Sequence, residues 1–276
     1  MTDLPFVKMH GLGNDFIILD FQKSLNSFNK QDIKKLSDRR LGIGCDQLII
    51  LERPHHPHAD VLMRIYNADG NEVGACGNAT RCVGLLLKEA DNKRDHIIET
   101  KAGLLSAEVL NQNQVTVDLG KPSFSWQDIP LSQEIDTLDL PINIEGMKDP
   151  IAVSVGNPHL VFFVYDTESI NLQAVGQQLN TNPLFPEGIN IEVVEKVDSH
   201  TLRMRVYERG VGITPACGTG AAASVIGAKK RGLIQTPAKV ILDGGELTID
   251  YQETVKVTGQ VMISFRGFFN THILQS

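Results

Sequence analysis

Two cysteines, Cys76 and Cys217, each stand in an Ala-Cys-Gly triplet, and their surroundings are alike. Residues 64–82 read RIYNADGNEVGACGNATRC; residues 205–223 read RVYERGVGITPACGTGAAA. At an offset of 141 they share Arg64/Arg205, Tyr66/Tyr207, Ala75/Ala216, Cys76/Cys217 and Gly77/Gly218. Each Cys-Gly closes a glycine-bearing loop and opens a stretch of helical composition. A helix start presents unpaired N–H groups and the positive end of its dipole, which together bind an anion. The same field favours thiolate over thiol, so both cysteines are expected below the ordinary pKa of ~8.5. Gly77, Gly218 and Gly220 let the backbone come close to a bound group. If the two halves of the chain face each other, both helix starts hold one carboxylate, and its Cα lies between two sulfurs. That arrangement suits inversion at a carbon α to a carboxylate. One thiolate takes the Cα proton, and the opposite thiol delivers a proton to the other face. Oriented N–H donors aimed at the developing negative charge are worth roughly 3–4 kcal/mol each. No lysine motif for PLP is apparent, so the helix ends would be the electron sink.

The elements that must position these groups are mostly strands. Residues 61–66, 96–100, 114–119, 151–155, 159–165, 201–207, 238–242 and 246–250 are short, rich in β-branched or aromatic residues, and separated by Gly, Asn, Asp and Pro. Helical spacing or composition marks 31–40, 78–90, 169–180 and 218–231, with Gly232 suited to a C-terminal cap. Strand runs with a few helices between them predict an α+β fold. The repeat extends upstream: Gly13-Asn14 matches Gly156-Asn157 at an offset of 143, and at that offset Gln47 falls on Asn190. An offset of about half the 276-residue chain reads as two copies of one domain. Residues 120–150, with Pro122, Pro130, Pro141 and Pro150, are poor in pattern, and the change of domain is placed near their start.

Composition bounds the remaining readings. With 42% hydrophobic and 21% charged residues, disorder and fibrous repeats are poor descriptions. The net charge of −7, with no basic patch, speaks against a duplex-binding protein. No apolar stretch approaches the ~20 residues of a membrane span, and MTDLPFVKMHG lacks the pattern of a signal peptide. The four cysteines, without a C-x-x-C pair, read as reduced thiols of a cytoplasmic protein. Cys45 and Cys82 read as structural. His55, His56 and His58, set between prolines, read as an exposed loop rather than a metal site; His10 reads as a packing residue near Asn14.

At this point the motifs converge. Residues 8–16 (KMHGLGNDF), 42–47 (GIGCDQ), 64–70 (RIYNADG), 75–78 (ACGN), 156–159 (GNPH), 207–210 (YERG) and 216–220 (ACGTG) resemble the diaminopimelate epimerase family, in that family's order and across both halves. The resemblance implies two pseudo-symmetric α+β domains, each with antiparallel strands wrapped around a central helix, and an active site in the cleft between them. On this chain they would be residues 1–119 plus 263–276, carrying Cys76, and 120–262, carrying Cys217. It implies interconversion of LL- and meso-diaminopimelate, without PLP or metal, in lysine and peptidoglycan-precursor synthesis, by a homodimer.

Carried over by motif, Cys76 and Cys217 are the acid/base thiols, and His159 with Glu208 tunes them. Asn14, Gln47, Asn67, Asn157 and Asn190 bind the substrate's polar groups, Gly77, Asn78, Gly218 and Thr219 supply helix-end contacts, and Glu208 and Arg209 touch the substrate. The chemistry agrees. Carboxamides both donate and accept, and an arginine can fork onto a distal carboxylate. Two departures stand out: Ala79 where the family often has Gly, and Ile213 where it often has Glu before the second cysteine. The first half keeps Glu72 at the position matching Ile213. The rival reading is a racemase of the same architecture acting on another amino acid such as proline, hydroxyproline or histidine. A paired-thiol redox protein and a non-catalytic amino-acid-binding protein belong to other classes. The first leaves the anion-binding loops unexplained; the second leaves two intact thiols without work.

Overall fold

The computed structural model describes residues 3–22 and 28–274. The chain divides into two compact units, residues 1–117 with 259–276, and residues 118–258.

In the first unit, strand Asp3–Gly11 turns through Leu12 and Gly13 into strand Asn14–Asp20. Both turn residues have positive φ (55° and 87°), which matches the twist of a two-residue hairpin. Helix α1 (Lys30–Ser37) follows, its start fixed by a capping box between Asn29 and Asp32. Strand Gln47–Glu52 then runs parallel to Asn14–Asp20 and antiparallel to Val61–Asn67. Strand Glu72–Val73 pairs with Val61–Asn67 and leads to helix α2 (Gly77–Asp91). Asp95–Thr100 returns parallel to Val61–Asn67, and Gly103–Val109 pairs beside it. The late strand Met262–Asn270 comes back to pair antiparallel with Asp3–Gly11. Residues 78–85 of α2 are all buried, which makes it the central helix that the strands enclose. Asn92 ends it in the left-handed conformation, φ 62°.

The second unit repeats this order element by element. Ile151–Ser154 pairs with Pro158–Val164, which runs parallel to Asn190–Lys196 after helix α3 (Leu172–Leu179). Thr201–Glu208 and Gly212–Thr214 lead to helix α4 (Gly218–Lys230); Ala238–Leu242 then returns parallel to Thr201–Glu208 and pairs with Gly245–Tyr251. The registers repeat too. Phe16 pairs with Gln47 as His159 pairs with Asn190, and Leu48 with Tyr66 as Ile191 with Tyr207. The fold is the α+β duplication expected, with two parallel pairings in each unit among mainly antiparallel ones. Helix α4 is small-residued and buried almost throughout, Ala221–Ala223 included. Gly232, at φ 67°, takes the cap position expected of it.

Residues 120–150 are irregular, apart from a short hairpin of Asn143–Ile144 with Met147–Lys148. They are no loose linker: Ile129, Leu131, Leu140, Ile144 and Met147 are buried in the core of the second unit with Phe162, Phe185 and Val193. In the first unit Phe6, Ile17, Leu19, Leu48, Ile50 and Phe269 form a core that also takes in Cys45. Phe265 and Phe268, by contrast, are 51% and 73% exposed, so of the three late phenylalanines only Phe269 is core.

Tyr207 packs directly on α3 at Gly176, where an added Cβ would lie 2.3 Å from ring carbons. Alanine is ordinarily the better helix former by about 1 kcal/mol. Here the clash is with the root of a packed ring, and overpacking costs about 1–3 kcal/mol. Gly176→Ala is therefore expected to lower the urea midpoint and Tm. A variant as stable as wild type would show that the Tyr207 ring moves aside without loss.

Candidate active site

Each cysteine occupies the N-cap of its unit's central helix, in extended conformation (φ −149°, ψ 109° for Cys76; φ −129°, ψ 112° for Cys217). Their carbonyls accept the first helical bonds, from Thr80 N–H at 2.9 Å and Ala221 N–H at 3.0 Å. The N–H groups of Gly77 and Asn78, and of Gly218 and Thr219, therefore open the helices beside the sulfurs. Cys76 is half-buried and Cys217 buried.

In the first unit a chain of polar groups orients Asn14. Asp15 accepts both guanidinium nitrogens of Arg39 (2.7 and 3.0 Å), Lys8 Nζ (2.6 Å) and the N–H of Asp46 (2.8 Å). Asp46 in turn accepts from Asn14 Nδ2 at 3.2 Å. That leaves Asn14 Oδ1 facing Asn78 Nδ2 at 3.2 Å and Cys76 Sγ at 3.9 Å. Asn78 Oδ1 accepts from Arg81, which is fully buried one turn into α2. Gln47 donates to Asn67 Oδ1 at 2.9 Å across the strand pair, and its own Oε1 is buried without a partner.

The second unit builds the same plan from other residues. Asn157 donates to Thr219 Oγ1 at 3.3 Å, and Thr219 lies 3.4 Å from Cys217 Sγ. His159 joins Asn157 Oδ1 at 3.0 Å and Glu192 Oε1 at 2.6 Å. Asn190 bonds the carbonyl of Pro158 at 3.0 Å and accepts the N–H of Arg209 at 2.8 Å. Arg209 donates to the carbonyl of Glu187 at 2.9 Å, and Thr214 donates to Glu208. In the first unit, then, the structure brings Asn14, Cys76 and Asn78 together and pairs Gln47 with Asn67 separately; in the second it links His159, Asn157, Thr219 and Cys217, joins Asn190 to Arg209, and sets Glu208 near Cys217.

One expectation fails. The helix start does not bring the Cys217 thiol below its usual range. Burial pushes it well above, the charges of Glu208 and Glu192 add to this, and the Thr219 hydroxyl and Gly220 N–H oppose it only in part. Cys82 and Cys45 are raised by burial as well, which suits inert structural thiols. The departure at Ile213 is also accounted for. Arg64 bonds Glu72 through Nε at 2.9 Å, whereas Arg205 donates to the carbonyl of Thr167 at 2.9 Å and leaves Ile213 exposed. Ala79 is fully buried.

Sequence reasoning passed over Asp15, Arg39, Asp46, Arg81 and Glu192. The signal for two of them was present. Glu192 interrupts the apolar run Ile191–Val194, and Arg81 directly precedes the apolar run Cys82–Leu87 of its helix; a charge in such a place is either solvated or held for a purpose.

The Asp15 cluster gives a pH test. Burial alone would raise its carboxyl, but the hydrogen bonds from Arg39, Lys8 and Asp46 N–H outweigh it and hold the group far below the ordinary 3.8. A depressed folded pKa contributes stability that is complete above the unfolded value and is lost as pH falls toward the folded one. Asp15→Asn is thus expected to be less stable than wild type at neutral pH and to lose less between about pH 5 and pH 2. Parallel urea-midpoint curves for the two proteins would refute this.

Comparison with known proteins locates the architecture first. It is a duplicated α+β fold found in a PhzF-family phenazine biosynthesis protein of Enterococcus faecalis (TM-score 0.70, 16% identity, covering 98% of this chain and 100% of that one). A hydroxyproline epimerase from Agrobacterium vitis shares it as well (TM-score 0.67, 14% identity, 96% and 92%). At such identities the likeness is one of fold. The chain belongs to the diaminopimelate epimerase family, whose model matches residues 6–125 and 151–264. Diaminopimelate epimerases of Rhodospirillum centenum and Zymomonas mobilis are 43% and 48% identical to it, over 98% and 89% of this chain and 93% and 88% of theirs.

Proposed function

We propose that this protein is an isomerase that interconverts LL- and meso-diaminopimelate by removing and returning the proton at one Cα. The observation that carries the reading is the pair of cysteines at matched helix N-caps, each with a carboxamide or hydroxyl directed at its sulfur. As thiolate, one sulfur takes the Cα proton and leaves the electron pair on the carbon and its carboxylate. The other sulfur, as thiol, returns a proton to the opposite face and is left as thiolate, so the reverse reaction uses the same groups with roles exchanged. The N–H groups at both helix starts receive the carboxylate oxygens and stabilise the charge as it develops. A raised Cys217 suits the proton-donating partner, since a proton held there is available for delivery.

The carboxamides serve recognition. Gln47 Oε1 is an open acceptor for an ammonium group; Asn67 ends the strand before the Cys76 loop, and Asn190 begins the strand paired with the one before the Cys217 loop. Arg209 meets the second carboxylate, and Glu208, close enough to raise Cys217, modulates the thiol. No described helix is long and apolar enough to cross a membrane. We place the enzyme in the cytoplasm, where its thiols stay reduced, as a homodimer; exposed Phe265 and Phe268 on one strand support self-association.

The deciding experiment incubates the protein with LL-diaminopimelate in deuterium oxide and follows both deuterium at Cα and the stereochemistry of the product. Uptake with inversion is expected. Uptake on proline or hydroxyproline, and none on diaminopimelate, would transfer the reading to a racemase of ring amino acids.

A further inference from the structure

His159 and Glu192 form a fully buried pair, Nδ1 to Oε1 2.6 Å, beneath the start of α4. At the repeat offset of 143 the first unit has Phe16 and Ile49, equally buried and in the same register. The fold therefore accepts an apolar pair at these positions. Stability gives little reason for an ionic one, because desolvation offsets its attraction. Space for the carboxylate is made locally. A Cβ on Gly220 would lie 2.7 Å from Glu192 Oε1, and the matching residue of α2 is Ala79.

The hydrogen bonds have a direction. Asn157 gives its amide N–H to Thr219, so its Oδ1 faces His159 Nε2. An amide oxygen only accepts, and Nε2 must therefore carry a proton. Nδ1 faces the carboxylate, and one proton lies in that contact. Thr219, already accepting from Asn157, has its own hydroxyl proton for the Cys217 sulfur. We propose that Glu192 is a positioning residue for Cys217: it holds His159 with Nε2–H toward Asn157, and so aligns Asn157 and Thr219 on the sulfur. This rests on the reading of Cys217 as an acid/base thiol.

Four variants test it. In Glu192→Leu, Nδ1 loses its partner, and kcat for diaminopimelate is expected to fall about 10- to 100-fold, as when a group orienting a reactive one is removed, with KM little changed. In Glu192→Gln the side-chain N–H can donate to Nδ1, which keeps the proton on Nε2, and most of kcat should return. The double variant His159→Phe/Glu192→Ile copies the first unit's apolar pair; it should fold and be no slower than His159→Phe alone. Nitrogen-15 NMR of labelled histidine reads the ring without turnover: an Nε2–H signal is expected in wild type and in both Glu192 variants, and a hydrogen-bonded Nδ1 in wild type and Glu192→Gln that becomes unbonded in Glu192→Leu. Unchanged kcat in Glu192→Leu, or an equal fall in both single variants, would overturn the inference and leave the function standing. Absence of inversion by wild type would overturn the function, and the positioning role with it. A wild-type His159 lacking the Nε2 proton would overturn the inference alone.

Discussion

Cys76→Ala and Cys217→Ala are each expected to end inversion of diaminopimelate while leaving the fold intact. Both cysteines hold the N-cap in extended backbone conformation, which alanine adopts equally well, so the substitution removes little from the helix itself. A positioned acid or base contributes about 10²- to 10⁴-fold, and the turnover of each variant should fall by at least that much. The two losses should differ in kind. A protein with one remaining thiol can still exchange the Cα proton of whichever stereoisomer presents it to that sulfur, without inverting the centre. Each variant should therefore wash solvent deuterium into one isomer, and the two variants into opposite ones. Near-normal inversion by either would end the two-thiol mechanism, and washout into both isomers by one variant would mean that a single base serves both faces.

Arg209→Met should be nearly as damaging, through recognition rather than chemistry. Arg209 is anchored twice: its N–H on Asn190 at 2.8 Å, and Nη1 on the Glu187 carbonyl at 2.9 Å. Gly188, at φ 70°, lets its stem pass, since a Cβ there would lie 3.1 Å from Arg209 Cδ. The Glu187 carboxylate is 4.0 Å away, and such an exposed pair is worth only ~0–1 kcal/mol, too little to account for a side chain so carefully seated. Removing a charge-assisted bond to a desolvated carboxylate costs roughly 2–5 kcal/mol, or about 30- to several-thousand-fold in kcat/KM. Lysine, which lacks the second carboxylate, should be turned over poorly by the wild-type enzyme for the same reason. Comparable kcat/KM for lysine and diaminopimelate, or a neutral Arg209→Met, would refute the dicarboxylate assignment.

What the sequence made legible is what repeats. Cys76 and Cys217, the arginines and tyrosines before them, and the Gly-Asn pairs upstream recur in one order, and the repeat carried both the duplication and most of the site. What it concealed is what differs between the halves. Strand Asn190–Lys196 escaped notice because Glu192 and Glu195 break its apolar run, although Glu192 is fully buried. The hairpin Asp3–Gly11/Asn14–Asp20 is obscured by its Gly-Leu-Gly-Asn turn, which reads as a loop motif. Asp15, Arg39 and Asp46 look like ordinary surface charges until the fold closes them around Asn14. The failed expectation for Cys217 has the same root: a helix start and Glu208 are visible in sequence, whereas burial and the carboxylate that Glu192 adds from the neighbouring strand are not.

The return of Met262–Asn270 to pair with Asp3–Gly11 has a consequence during synthesis. The second unit is one continuous stretch of chain, so everything it needs emerges in a single run. The first unit is not: the outer edge of its opening strand waits for residues 262–270, which are translated only after the whole second unit. At ~5–20 residues per second the delay from the end of the first segment is roughly 7–30 s. Throughout it, one row of backbone donors and acceptors along Asp3–Gly11 stands without its neighbour. Such an edge is a template for pairing with other chains. The enzyme's most exposed moment therefore comes on the ribosome, and truncation of the last strand should appear first as aggregation of newly made protein.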